Sequence, residues 1–333
     1  MQRMQLRRGV LVLSEDYIIL SDGVLKVEEK TFRFDSAQGL KRFPAEDVRS
    51  INFYSGGEVT TGALKLASEK GIPVNFFGYY GNYLGTYWPG EKLLSGDLTV
   101  EQVKLYLDGR RRLEASLLLM KGVLENMKSF LGKYGNDLSW AQIDENVETV
   151  EELMLEEGRV RKRYYEEFDR IVPEEFSITE RTRRPPLNMG NALISFGNSR
   201  LYAEIVTESH YTSLNPTISF YHSPSERRFS LPLDISEVFK VPYVDRFFVK
   251  MVKQEIIKPT TQFFSEEGGG ILLSDYGKKI FLKEWEKWMN FEHYHQRLKR
   301  VVSHREMIRL ELYKFIKHVY GIEKYSPYVM GRE

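Results

Sequence analysis

YLGTYWPGEKLLSGDLTV, residues 83–100, contains the change of character on which the fold turns. Before Trp88-Pro89-Gly90 the chain runs in short β-branched and aromatic stretches. From Leu98 onward a helical periodicity takes over and lasts to the end. The Pro-Gly pair suits neither pattern and reads as a linker. The predicted architecture is α+β: a small β-rich N-terminal domain over 1–87, a linker over 88–97, and a larger all-helical domain over 98–333.

Working outward toward the N-terminus, strands are predicted over 9–13, 17–20, 24–27, 31–34 and 48–54. Ser21-Asp22-Gly23 and Ser55-Gly56-Gly57 act as turns between them. One helix over 60–70 ends at Gly71, a residue type suited to a left-handed cap. Strands over 73–77 and 83–88 follow. The seven aromatics from Phe76 to Trp88 read as core or subunit contact before they read as a base-stacking face. Toward the C-terminus, helices are predicted over 100–132, 146–171, 190–208, 235–252, 278–290 and 304–320.

The bulk properties exclude more than they assign. A chain of 333 residues suggests about two domains, and 42% apolar with 29% charged residues is ordinary for a folded protein. The formal net charge is only +1, so any nucleic-acid surface must be local. With no cysteine, a disulfide framework, a thiolate zinc site and a cysteine nucleophile are all excluded. The basic start MQRMQLRR leads into too short an apolar run for a signal peptide, and the charge-free stretch 71–90 is broken by glycine and proline. The expectation is a cytoplasmic protein with no membrane association.

Three ionisable residues stand where packing residues or plain caps belong. Val150, Met154, Glu157, Arg161, Tyr164, Phe168 and Ile171 form one helical stripe with two charges at its centre. An unpaired buried carboxylate costs several kcal/mol, so Glu157 needs either Arg161 as an i,i+4 partner or a cation. Glu156 falls off the stripe. His222, alone among the six histidines, follows an Asn215-Pro216 turn and precedes a polar loop with Arg227 and Arg228. Asp234 and Glu237 have the spacing of a capping box, N-cap and N3. They equally suit an acidic cation site beside His222. Two carboxylates and one imidazole are a mixed oxygen and nitrogen set suited to Mg²⁺ or Mn²⁺. His293 and His295 are weaker candidates and read as surface or interface residues. The basic clusters at 110–112, 181–184 and 297–309 read first as solvated faces, and are still the best places to look for DNA backbone contacts.

Read together, four segments are specific. Glu157-Gly158-x-x-Arg161-x-x-Tyr164-Tyr165, Asn191-Ala192-Leu193-Ile194-Ser195-Phe196-Gly197, Leu214-Asn215-Pro216 to His222, and Ser230-Leu231-x-x-Asp234-x-x-Glu237-x-Phe239 follow in that order. The chain thereby resembles the CRISPR-associated Cas1 family, the integrases and endonucleases of spacer acquisition. The form Leu-Asn-Pro-Thr-Ile-Ser is similar to its archaeal and thermophile type I branch. The resemblance implies an N-terminal domain that forms a homodimer, a helical catalytic domain and a complex with the Cas2 protein. It implies double-stranded and branched DNA as substrates, and Mg²⁺- or Mn²⁺-dependent cleavage and joining without an organic cofactor. It places the metal on Glu157, His222 and Glu237, with Asp234 as the neighbouring catalytic acid. Arg161, Arg227 and Arg228 are the residues expected to steady DNA phosphates. Two other classes remain open: a metal-dependent nuclease that repairs branched DNA, and a non-catalytic DNA-binding scaffold.

Overall fold

The computed structural model describes residues 6–7, 10–13, 15–90, 93–178, 180–182, 185–224, 229–267 and 269–332. The chain divides into two compact units. One comprises residues 1–93 with 282–286, and the other 94–281 with 287–333.

The first unit is built on two sheets and a helix. Its strands are β1 (Leu6–Arg7), β2 (Val10–Leu13), β3 (Asp16–Ile19), β4 (Gly23–Glu28), β5 (Thr31–Ser36), β6 (Gly39–Pro44), β7 (Ser50–Phe53), β8 (Glu58–Val59), β9 (Val74–Phe77) and β10 (Tyr83–Tyr87). The larger sheet has the order β1-β2-β3-β7-β9-β10, and the smaller β6-β5-β4-β8. β3, β7 and β9 run parallel, with Tyr17 opposite Ile51 and Ile51 opposite Val74. Parallel neighbours need a crossover, and α1 (Thr61–Lys70) supplies one between β7 and β9. The Thr60 hydroxyl caps its start, and Gly71 ends it at φ 68°, a left-handed conformation that glycine adopts without penalty. Leu25, Phe32, Phe34, Phe43, Ile51, Phe53, Leu66 and Val74 fill the core of this unit. β6 was not legible in the sequence. It is a charged edge strand, GLKRFP, and of its residues only Phe43 is fully buried.

The second unit is helical. Its helices are α2 (Gly96–Leu107), α3 (Gly109–Leu131), α4 (Val150–Asp169), α5 (Met189–His210), α6 (Ser230–Phe239), α7 (Arg246–Lys253), α8 (Asp275–Met289), of which residues 282–286 are grouped with the first unit, and α9 (His304–Val319). α5 is buried on nearly every side and packs against α6 and α9. The charges it buries are paired, Arg200 donating to Glu204 at 2.7 Å and Arg309 to Glu208 at 2.7 Å. Gly190 opens it where a Cβ would stand 2.3 Å from the Phe176 carbonyl oxygen, so only glycine fits.

Three sequence expectations need correction. The helix expected over 100–132 is two helices, because the Asp108 carboxylate accepts the Arg110 and Arg111 N–H groups, both at 3.1 Å, and caps a new start. The helix expected over 235–252 begins earlier, at Ser230, and its middle is a π-helical stretch, Lys240–Asp245, containing Pro242. Proline withholds an N–H from the ladder, and a π turn absorbs the mismatch. The helical unit also carries two short hairpins, β11 (Phe263–Ser265) with β12 (Ile271–Leu273) and β13 (Glu292–His295) with β14 (Arg300–Ser303). His293 and His295 therefore sit on a strand, where i and i+2 share a face, and His295 is buried rather than on the surface.

Candidate active site and metal centre

The side chains of the candidate site come from three places in the helical unit: α4, the loop bearing His222, and α6. α4 carries Glu157 and Arg161 at the rim of its buried face. Val160, Tyr164 and Phe168 lie in the core, while Glu157 is 23% and Arg161 13% exposed. Glu156 turns away from this cluster to Arg159 at 2.9 Å, and Arg163 pairs with Glu166 at 2.8 Å. Neither Arg159 nor Arg163 joins Arg161.

The His222 loop is fastened at many points. Asn215 forms a local turn, its side-chain oxygen accepting the Thr217 N–H at 3.0 Å, and Gln102 donates to the carbonyls of Asn215 and Ile218 at 3.1 and 3.2 Å. Arg112, from the basic cluster at 110–112, donates through Nε to the Phe220 carbonyl at 2.8 Å and through Nη2 to the Tyr221 carbonyl at 3.3 Å. The strongest fastening is Asp234. It is fully buried inside α6, not at an N-cap, so the capping-box reading fails. Its carboxylate accepts the backbone N–H groups of Phe220, Tyr221 and His222 at 2.6, 2.9 and 2.8 Å, and His222 Nδ1 lies 2.8 Å from Oδ1. A buried carboxylate satisfied by backbone donors is stable where a bare one is not. The helix tolerates the shift because Pro232, in its first turn, lacks only an N–H that would be unpaired there.

One turn after Asp234, Glu237 faces the same space. Its Oε2 accepts Arg161 Nη2 at 2.9 Å, its Oε1 pairs with Lys240, and Oε1 lies 3.9 Å from His222 Nε2. The guanidinium that holds Glu237 also donates through Nε to Glu157 Oε1 at 2.6 Å. Arg161 thus joins Glu157 to Glu237, and Glu237 joins both to His222. Among the described residues these three do not present ligand atoms all within 4.8 Å of one another; the Arg161 guanidinium stands between the two carboxylates. Arg227 and Arg228 lie outside the described residues.

Burial works against the Glu237 charge, but Lys240, Arg161 and His222 outweigh it and hold the carboxyl well below its ordinary range. For His222, burial disfavours the charged ring. The hydrogen bond and charge of Asp234, with Glu237 behind them, more than compensate and raise its pKa. Burial likewise opposes the Arg161 charge, and Glu157 and Glu237 hold it protonated. Behind the cluster Tyr164 donates to Asp245 at 2.8 Å, and burial pushes the Asp245 carboxyl up to about 6.

The donor chemistry fits a hard divalent ion. Asp234 holds Nδ1 of His222 and leaves Nε2 toward Glu237, the usual carboxylate support of a metal-binding imidazole. The two carboxylates, Glu157 and Glu237, carry the charge that would neutralise a divalent ion, and in this structure Arg161 and Lys240 occupy them. The Tyr221 hydroxyl and Arg161 Nη1 are buried with no hydrogen-bond partner in the structure, leaving polar capacity at the same place. Lys240 and Arg112 were missed in the sequence. Lys240 follows Glu237 by three residues, a helical neighbour spacing that was available as a signal; nothing local marks Arg112.

The helical unit of this α+β chain gathers acids, an imidazole and paired side-chain cations at one point, groups of the kinds that phosphoryl transfer uses. The family model described as CRISPR associated protein Cas1 matches residues 17–287. A relative from Methanocaldococcus jannaschii named CRISPR-associated endonuclease Cas1 is 43% identical over 93% of this chain and 97% of its own. The solved structure of TM1797, a Cas1 protein from Thermotoga maritima, superposes with a TM-score of 0.85 at 35% identity, covering 96% of this chain and all of that one. A chain in a Cas6-RT-Cas1–Cas2 complex shares the fold at a TM-score of 0.81 and 15% identity, over 99% of this chain and 37% of that one. The chain belongs to the Cas1 family.

Proposed function

We propose that this protein is a divalent-metal-dependent DNA endonuclease and integrase that inserts captured DNA fragments into a CRISPR array. The observation that carries this reading is the shared cation bridge. Arg161 links Glu157 to Glu237, and Glu237 stands beside His222, at the positions the family motifs pick out. Glu157, His222 and Glu237 are the residues that would hold Mg²⁺ or Mn²⁺. The ion would supply Lewis-acid polarisation of the scissile phosphate and stabilise charge on the attacking or leaving oxygen.

The chain's own residues do the rest. Asp234 orients His222 and keeps its Nδ1 engaged. Arg161 and Lys240, which hold Glu237 in this structure, would be the cations placed to meet the non-bridging phosphate oxygens. In joining, the 3′-hydroxyl of the incoming fragment forms a new oxygen–phosphorus bond and the repeat strand's 3′-oxygen leaves with the transferred proton. In cleavage, water replaces the hydroxyl. Neither step calls for an organic cofactor.

Family membership supports a homodimer through the β unit, double-stranded and branched DNA as substrates, and a Cas2 partner of the kind named in the complex that shares this fold. Among the described residues no helix is long and apolar enough to cross a membrane. A cytoplasmic location belongs to the same proposal.

The test is strand transfer on a repeat-containing plasmid with Mn²⁺, using Glu157→Ala, His222→Ala and Glu237→Ala. Loss of joining in all three is expected. Undiminished joining by a folded single variant removes that residue from the site. Junction cleavage without joining would favour a repair nuclease. DNA binding indifferent to EDTA, with no cleavage at all, would favour a scaffold.

A further inference from the structure

The basic clusters that stand out in the sequence are largely consumed within the fold. Arg112 holds the His222 loop, Arg181 donates to Asn191 and Ser195, Arg300 pairs with Glu306, Arg305 with Glu204 and Arg309 with Glu208. A different group of cations is not consumed. Lys133, Arg246, Lys250 and Lys253 line a cavity of about 370 Å³ in the helical unit, together with Tyr134 and Trp288. None of the four has a carboxylate partner among the described residues. The polar contact of Arg246 is a 3.8 Å approach to the Met330 sulfur.

Aromatic faces hold these cations in place without neutralising them. The Trp288 indole N–H donates to the Tyr243 carbonyl at 3.1 Å, which pins the ring. Arg246 and Lys250 lie 5.4 and 5.5 Å from the Trp288 ring centre, and Lys253 lies 4.4 Å from that of Tyr134. Helix dipoles do not account for the charge. α3 and α7 both end at the cavity, and two helix C-termini supply roughly half a negative charge each. Set against four cations, that leaves about +3. Arg246, Lys250 and Lys253 recur at i, i+4 and i+7 on one face of α7, a row about 10 Å long at 1.5 Å per residue. At one phosphate per ~3.4 Å of duplex axis on each strand, the row matches about three phosphates of a stacked strand.

We infer that this cavity binds the phosphodiester backbone of a DNA strand through Lys133, Arg246, Lys250 and Lys253, at a subsite outside the Glu157–His222–Glu237 cluster. The anion site stands on its own geometry; the choice of DNA as the anion rests on the function proposed above.

The experiment is fluorescence polarisation of a labelled single-stranded oligonucleotide against the full chain, in EDTA, over a series of KCl concentrations. The triple variant Lys133→Gln/Lys250→Gln/Lys253→Gln is expected to lower the slope of log K against log salt by about 2, at ~0.7 per lost phosphate contact. The corresponding Lys→Arg triple keeps the slope. So does Lys104→Gln/Lys121→Gln/Lys314→Gln, which removes the same charge from lysines already paired with Glu101, Glu145 and Glu311. An unchanged slope in the first variant overturns the inference, and so does an equal fall in the paired-lysine control. Binding of labelled polyglutamate but not DNA by the unaltered chain would make the cavity an acidic-protein surface and overturn it too. Glu157→Ala separates the two claims. It keeps the salt slope while losing joining, so a chain that binds with the expected slope but never joins DNA faults the proposed function and leaves this subsite intact.

Discussion

Asp234→Asn replaces one carboxylate oxygen with an NH₂ group and tests how the candidate site is held. In the native protein one carboxylate accepts three backbone N–H groups and faces His222 Nδ1. Asparagine can keep its oxygen toward Phe220 and Tyr221, but its NH₂ then meets the His222 N–H, donor against donor. A buried donor left unpaired costs about 1–3 kcal/mol, and two charge-assisted bonds reduced to neutral ones cost about 1 kcal/mol each. The sum is about 4 kcal/mol. At about 2–4 °C per kcal/mol for a unit of this size, the melting temperature falls by about 8–16 °C. The chemical consequence is more specific. The NH₂ turns His222 Nδ1 into an acceptor, so the ring proton moves to Nε2, the nitrogen facing Glu237. Mn²⁺ affinity is expected to fall about 10–100-fold, the usual effect of losing a supporting partner. Calorimetric Mn²⁺ titration and ¹⁵N NMR of the imidazole read the two effects separately. A variant whose proton stays on Nδ1 and whose Mn²⁺ affinity is unchanged refutes the reasoning, whatever its melting temperature.

Two further outcomes follow from the same geometry. Arg112→Ala removes both side-chain bonds to the Phe220 and Tyr221 carbonyls. Hydrogen exchange at residues 219–224 is expected to rise roughly tenfold, corresponding to about 1–2 kcal/mol of local stability; unchanged exchange contradicts a fastening role. Asp245→Asn tests buried charge. Burial raises the Asp245 pKa from 3.8 to about 6, so the folded state pays no penalty below about pH 4, a growing one up to pH 6, and a constant one above. The gap of about two pH units is worth about 3 kcal/mol. In urea denaturation the variant should gain up to that amount at pH 7, less any weakening of the Tyr164 bond, and the gain should shrink toward pH 4. A pH-independent difference contradicts the assignment.

Much of the frame is legible without coordinates because it is local chemistry. The switch at Trp88-Pro89-Gly90, the Gly71 cap and the β-branched and aromatic runs of the first strands each follow from neighbouring residues. Glu157 announces itself as a charge on an otherwise packed stripe, and its placement at the rim of the α4 core explains why that stripe tolerates it. What escaped was tertiary. Asp234 has a cap's spacing, yet the helix starts at Ser230, because its carboxylate is taken by a loop twelve to fourteen residues earlier in the chain. Arg112 lies more than a hundred residues from the loop it secures. The π-helical stretch at Lys240–Asp245 places Asp245 against Tyr164, and a regular helical reading does not place it there. The basic runs show the same limit: a run of arginines records charge in the sequence, whereas its partners are set by packing.

On the proposed function, Glu157, His222 and Glu237 take up one divalent ion while Arg161 and Lys240 release the carboxylate they hold. A Mn²⁺-soaked crystal read by anomalous scattering tests it most directly. The predicted result is one anomalous peak within about 2.0–2.3 Å of all three side chains, with the Arg161–Glu237 contact opened. A saturating soak that leaves Arg161 and Lys240 on Glu237 and shows no peak between these residues contradicts it.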